Sequence, residues 1–256
     1  MNPPSTQENP TIHSRAAWNL VVIFSFFMLI FLPSGEVLFQ KQESGGYLGL
    51  LKLLPMGIVY TLGVTFAGSV AAIGVGLLVG LGKMSTRPWI RFSANLYTEI
   101  LRGIPLLVLL FYIYYALGEL VHIPKLVAAV AGFGLSYGAY MADVFRAGIE
   151  AIPKEQGEAA RSLGMNSQQA MQQIILPQAF RTIIPAIGNQ TLGMLKDTSL
   201  VSVLAISDIL RMANEYATKH FNYFETYTYI ALTYLLLTLI LARGVSWLEM
   251  RATSYR

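Results

Sequence analysis

The sequence predicts an all-α, polytopic membrane protein, and three observations carry that reading. Charged side chains make up 12% of the 256 residues, about half of the ~25% usual in soluble proteins. Hydrophobic residues make up 54%, and the mean hydropathy is +0.52. They are gathered into uncharged blocks close to the ~20 residues that a helix needs to cross a bilayer. The blocks are 16–35, 53–82, 103–118, 126–142, 182–195 and 226–242, and six helices are the simplest reading. Six such spans use about half the chain, leaving loops and one modest cytoplasmic feature but no second catalytic domain.

Each element has its own justification. Residues 1–14 are polar and contain Pro3, Pro4 and Pro10, which predicts a disordered tail. The apolar stretch after Arg15 is followed by no small-x-small site, so it reads as a retained anchor helix rather than a cleaved signal. The second span carries Gly76-x-x-x-Gly80 and the fourth Gly134-x-x-x-Gly138, spacings that let helix backbones approach closely in lipid. The plainer alternative is the raised glycine content of membrane helices in general. Gly80-Leu-Gly-Lys83 is not a phosphate loop, because Leu77 and Met84 stand where glycine and Ser or Thr are required.

Charge placement gives sidedness. With the amino terminus inside, eleven Lys and Arg residues fall on cytoplasmic segments and five on the opposite side, with Arg102 and Lys196 left inside spans. The positive-inside bias therefore places both termini in the cytoplasm. The net charge of +4 is spread over separate short loops, which speaks for topology and against nucleic acid as a partner. The absence of cysteine excludes disulfide scaffolds, thiol nucleophiles and Cys-ligated zinc. His13, His122 and His220 are too widely spaced to read as a metal site.

The loop between the fourth and fifth spans, 150–180, is the most informative segment. Pro153 suits a first helical turn, and a short helix then runs to Leu163 and closes at Gly164 as a left-handed residue. Asn166 and Gln169 have the form of a capping box that restarts the chain as a second helix, ending near Pro177. Ala159, Ala160 and Leu163 leave a small apolar surface fit for another protein's groove. A solvated hairpin without a partner would have the same composition.

The string Glu158-Ala159-Ala160-x-x-x-Gly164, nine further residues and then Ile174-x-Leu176-Pro177 resembles, at full spacing, the EAA signature of permease subunits of binding-protein-dependent ABC importers. The text from Tyr97 (YTEILRGIPLLVLLFYIYY), from Tyr140 (YMADVFRAGIEAIPKEQGEAARSLG) and from Leu195 (LKDTSLVSVLAISDIL) resembles the polar amino acid subfamily (histidine, glutamate, glutamine, arginine and opine type). The resemblance covers roughly 55–250, a type I importer permease fold with a five-helix core, and makes 15–54 an added helix with its periplasmic connection. The last residues, 251–256, then read as a cytoplasmic tail. Ala147 and Gly157 are small departures, the first where glycine is expected and the second where a bulkier residue is common.

The resemblance implies a subunit of the bacterial inner membrane that performs no covalent chemistry. Two permease subunits, identical or related, would form the pore, two copies of a separate ATPase would bind below, and a periplasmic amino-acid-binding protein would dock above. ATP and magnesium would be bound by that ATPase and no cofactor by this chain. The coupling role falls on Glu158, Ala159, Ala160, Arg161, Leu163 and Gly164.

Charges inside the membrane are the remaining candidates. Glu99 with Arg102, and Asp143 with Arg146, stand at i, i+3 and can pair on one helix face. They read either as structural ion pairs between helices or as the lining of the inner gate. Lys196-Asp197-Thr198-Ser199 interrupts the fifth span; each charge near mid-bilayer costs roughly 2.5–3.5 kcal/mol, so a protein or water lining is required. Asp197 with Thr198 and Ser199 reads as a helix N-cap, placing a helix break near the midplane. A zwitterionic amino acid would find its carboxylate partner in Lys196 or helix amides and its ammonium partner in Asp197. Asn189 and Gln190 are lesser candidates on the same span, and a purely interhelical bonding lattice is the alternative for the whole group. From a different functional class, an ion-coupled secondary carrier or channel would use the same buried charges.

Overall fold

In the computed structural model, the described residues are 19, 21–26 and 47–253, and among them the fold is helical throughout. Helix α1 spans Tyr47–Lys83, α2 Pro88–Gly103, α3 Leu106–Phe111, α4 Lys125–Glu150, α5 Lys154–Ser162, α6 Ser167–Ala170, α7 Leu176–Asp197, α8 Ile209–His220 and α9 Tyr223–Thr253. Residues 21–26 are helical, and Asn19 accepts a hydrogen bond from Arg243 on α9. The tail 1–14, most of the expected first span and the end of the 251–256 segment lie outside the described residues.

The apolar blocks account for most of the long helices. Gly49–Lys83, Lys125–Glu150 and Tyr223–Arg251 are each long and apolar enough to cross a membrane. The third expected span, 103–118, is not one straight helix continuous with the residues before it. Ile104 and Pro105 are extended, and α2 meets α3 at a bend of 100°. The cause is local: Pro105 disfavours a helical conformation in the residue before it and supplies no amide for the ladder. Beyond the bend, α3 continues through a π turn at Tyr112–Ala116 and a 3-10 turn at Leu117–Glu119.

The expected end of the hairpin's second helix at Pro177 is also corrected. Helix α6 passes through a π turn at Met171–Ile175 directly into α7, so the backbone is helical from Ser167 to Asp197. That run is about 45 Å long at 1.5 Å per residue. Widening the ladder ahead of Pro177 accommodates its ring and missing donor. The carbonyl of Ile174 also accepts a bond from the Gln178 side-chain amide at 2.9 Å.

Helix α4 is the centre of the bundle. Its Phe133, Tyr137, Met141 and Phe145 are buried against Val64 and Ala72 of α1, Leu110 of α3 and Ile183 and Met194 of α7. Both Gly-x-x-x-Gly pairs lie in the α1–α4 seam, each against side chains of the opposite helix: a Cβ on Gly76 would stand 2.3 Å from Met141 Cβ, and one on Gly138 2.7 Å from Val75 Cγ1. The pairs are therefore packing devices and not background glycine content.

Gly76→Ala should destabilise the protein by about 1–3 kcal/mol, the usual range for overpacking. Gly74→Ala, whose Cβ would meet nothing within 4 Å, should be neutral or slightly stabilising. Denaturant unfolding of the purified variants in mild detergent checks this; equal stability would contradict the seam.

Candidate functional site

Two groups of residues stand out, one at the hairpin and one at a half-open cavity between α2, α4 and α7. In the hairpin, α5 starts after Pro153 and ends in a left-handed closure at Gly164, φ +88°. The Met165 amide bonds the Ala160 carbonyl at 3.1 Å and the Gly164 amide bonds that of Arg161 at 2.9 Å, the paired bonds of a Schellman closure. The capping box is formed in both directions: the Gln169 amide donates to Asn166 Oδ1, and the Asn166 amide donates to Gln169 Oε1, both at 2.9 Å. The link between α5 and α6 is thus fixed by local hydrogen bonds at both ends.

The faces of α5 differ from the sequence reading in one respect. Ala160 is buried, as are Gly157 and Ala170 on the inner side of the hairpin. Ala160 therefore belongs to the hairpin's own packing and not to the outward surface. Glu158, Ala159, Arg161, Leu163 and Gly164 are exposed, and Leu163 reaches 83%.

The membrane charges are arranged differently from the two i, i+3 pairs. Asp143 on α4 is the hub. Lys83 Nζ at the end of α1 lies 2.6 Å from Oδ1, and Arg102 Nη1 at the end of α2 lies 2.6 Å from Oδ2. Arg146 is 3.8 Å from Asp143 and bonds Glu150 at 3.0 Å. Glu99 is exposed and has no ion pair within 4.0 Å among the described residues. Arg102 turns to α4 because the 100° bend aims the end of α2 at Asp143. Lys83 was missed from the sequence, since its partner is 60 residues away; its place closing an uncharged block was the available signal.

Beside this hub lies a cavity of about 400 Å³ lined by Arg102, Ser136, Tyr137, Tyr140, Gln190 and Asp197, together with the backbone of the 103–105 bend. The Arg102 guanidinium sits over the Tyr140 ring, 5.2 Å from its centroid. Tyr137 donates to Asp197 Oδ2 at 2.7 Å. Asp197 thus reaches the cavity, but it does not cap a new helix. The Thr198 and Ser199 hydroxyls donate back to the carbonyls of Leu195 at 2.6 Å and Lys196 at 3.0 Å, and α7 tightens into a 3-10 run at Thr198–Leu204. Such back-bonding satisfies the carbonyls that a break would have exposed. The N-cap in this region is Asp208, which accepts from the amides of Leu210 and Arg211 at the start of α8.

Of the other candidates, Gln190 lines the cavity, whereas Lys196 and Asn189 are exposed away from its lining and Thr198 is fully buried. Ser199, Asp143, Arg146 and Glu99 do not line it either. Tyr137, Tyr140 and Ser136 were missed in the sequence, where they read only as part of an apolar span.

Residues 72–254 match the family model described as binding-protein-dependent transport system inner membrane component. The chain belongs to this family of membrane permeases. Its relatives include the probable amino-acid permease protein YxeN of Bacillus subtilis, 39% identical over 195 residues, covering 75% of this chain and 85% of that one. The arginine transport system permease protein ArtQ of the same organism is 36% identical over 188 residues, covering 72% and 85%. Among solved structures, an amino acid ABC transporter with histidines matches with a TM-score of 0.75 at 39% identity, covering 78% of this chain and 94% of that one. The inward-facing MetNI methionine ABC transporter has a TM-score of 0.70 at 20% identity, covering 80% and 98%, which shows the same fold.

Asp143→Asn should destabilise the protein by about 1–3 kcal/mol, because it leaves the nearly buried Lys83 ammonium without its counter-charge. The double variant Lys83→Met with Asp143→Leu should recover most of that loss. Unfolding of the single and double variants tests this; a double variant as unstable as Asp143→Asn would contradict it.

Proposed function

We propose that the chain is the permease subunit of an ATP-driven importer for polar or charged amino acids, working by alternating access in the inner membrane with both termini cytoplasmic. A separate ATPase, holding ATP and magnesium, would receive the exposed side of the hairpin through Glu158, Ala159, Arg161 and Leu163. A second permease subunit and a periplasmic amino-acid-binding protein would complete the machine. The amino-acid relatives support the cargo class, and the positive-inside bias supports the sidedness.

The observation that carries the reading is the unbroken helical run from Ser167 to Asp197. It joins the capped hairpin at one end to a cavity carboxylate at the other, so a push on the hairpin would reach Asp197 along one continuous helical backbone whose bendable points are the π turn and Pro185. The cavity supplies one cation, Arg102, and one anion, Asp197. In this reading Arg102, rather than the outward Lys196, takes the α-carboxylate of the amino acid, and Asp197 takes its ammonium. Tyr137 and Gln190 offer the remaining hydrogen bonds. Retracting Asp197 from Arg102 would break one of the two ends of the bound zwitterion, which lowers affinity in the state that must release.

Two measurements on the reconstituted complex test this. Asp197→Asn keeps an acceptor for Tyr137 but removes the charge, and uptake KM should rise roughly ten- to hundred-fold, the worth of a charged hydrogen bond. An unchanged KM would remove Asp197 from the site. Gly164→Asp places a side chain at φ +88°, a conformation costing roughly 1–2 kcal/mol outside glycine. The variant should remain in the membrane and lose solute moved per ATP hydrolysed; wild-type coupling would refute the lever.

A further inference from the structure

We propose that α2, with the arginines at its start, is a binding site for anionic phospholipid in the cytoplasmic leaflet; the leaflet assignment rests on the sidedness given above. Helix α2 does not follow the bundle axis. Its Arg102 pairs with Asp143 near the end of α4, and a Cβ on Gly82 near the end of α1 would meet Ala94 Cβ at 3.2 Å. The helix therefore starts beside those two ends, on the side from which the hairpin departs, packs Tyr97 against α4 through a bond to the Leu135 carbonyl at 2.6 Å, and turns at the 100° bend.

Its outward face has two chemistries. Trp89 is 81% exposed and Phe92 62%, and Leu96 and Ile100 continue the same stripe at spacings that hold one helix face. Flanking Trp89, Arg87 and Arg91 are exposed and form no ion pair within 4.0 Å among the described residues. An apolar stripe with an aromatic end and basic neighbours fits the headgroup boundary of a bilayer, apolar face in the acyl region and cations at the phosphates.

Charge decides the occupant. A second copy meeting this face about a two-fold axis would bring the same uncompensated arginines together. A soluble partner would need its own apolar groove for the stripe while α2 stays against the membrane. Anionic headgroups answer both chemistries at once, and each arginine should enrich them roughly fivefold over neutral lipid.

The test uses the full chain in phosphatidylcholine vesicles carrying phosphatidylglycerol. Trp18→Phe with Trp247→Phe leaves Trp89 as the one tryptophan of the original three. Brominated phosphatidylglycerol should quench Trp89 several-fold more strongly than brominated phosphatidylcholine at the same mole fraction. High salt, or Arg87→Gln with Arg91→Gln, should abolish the difference. Equal quenching by the two lipids overturns the proposal, and so does the absence of quenching by either, which would mean that protein covers the face. The readout requires no transport, so its failure leaves the importer reading standing, and failure of coupled uptake leaves the lipid site standing. The salt titration uses native arginines and decides the matter even where the double variant fails to insert.

Discussion

The seam between α1 and α4 is the constraint on which the rest of the structure depends. In lipid, apolar side chains gain little by leaving one hydrocarbon environment for another, so helices hold together by close packing and polar contacts. Gly76 opposite Met141, and Gly138 opposite Val75, bring the two backbones close enough for both to operate. That approach sets Lys83 on Asp143 and leaves α4 buried among its neighbours, with Tyr137 aimed at Asp197. Spread the seam, and both the ion-pair hub and one wall of the cavity lose their geometry.

The ion-pair hub stands at one end of the bundle. Asp143 collects cations from the ends of α1 and α2 and from α4 itself, which ties these elements into one unit. Helix α7 is joined to the hairpin without a break in its helical backbone. Asp197 and Gln190 ride on α7, while Arg102 belongs to the hub. The cavity therefore lies between groups of the hub and groups of α7.

Local interactions were legible in the sequence and tertiary ones were not. The glycine closure at Gly164 and the reciprocal cap of Asn166 and Gln169 involve residues within a turn of one another, so spacing alone reveals them. The apolar blocks likewise mark most of the long helices, because bilayer thickness fixes their length. The partners of Arg102 and Lys83 lie on another helix, and i, i+3 spacing offered Glu99 and Arg146 as nearer but incorrect or incomplete answers. Ala160 looked like surface because composition does not say which face of a short helix turns inward. The cap read at Asp197 belongs to Asp208: Thr198 and Ser199 have the same hydroxyls whether they start a helix or bond back to continue one. The bend before Pro105 was visible in the Gly-Ile-Pro string, yet the uncharged block around it favoured a straight span.

In the proposed function, motion in this chain is driven from outside, through the hairpin. Solute uptake into liposomes bearing the purified chain alone, compared with liposomes that also hold the ATPase and the amino-acid-binding protein, tests it most directly. Accumulation is expected only in the complete system and only with hydrolysable ATP. Accumulation by the chain alone, abolished by collapsing an ion gradient, would contradict it and assign the buried charges to an ion-coupled carrier.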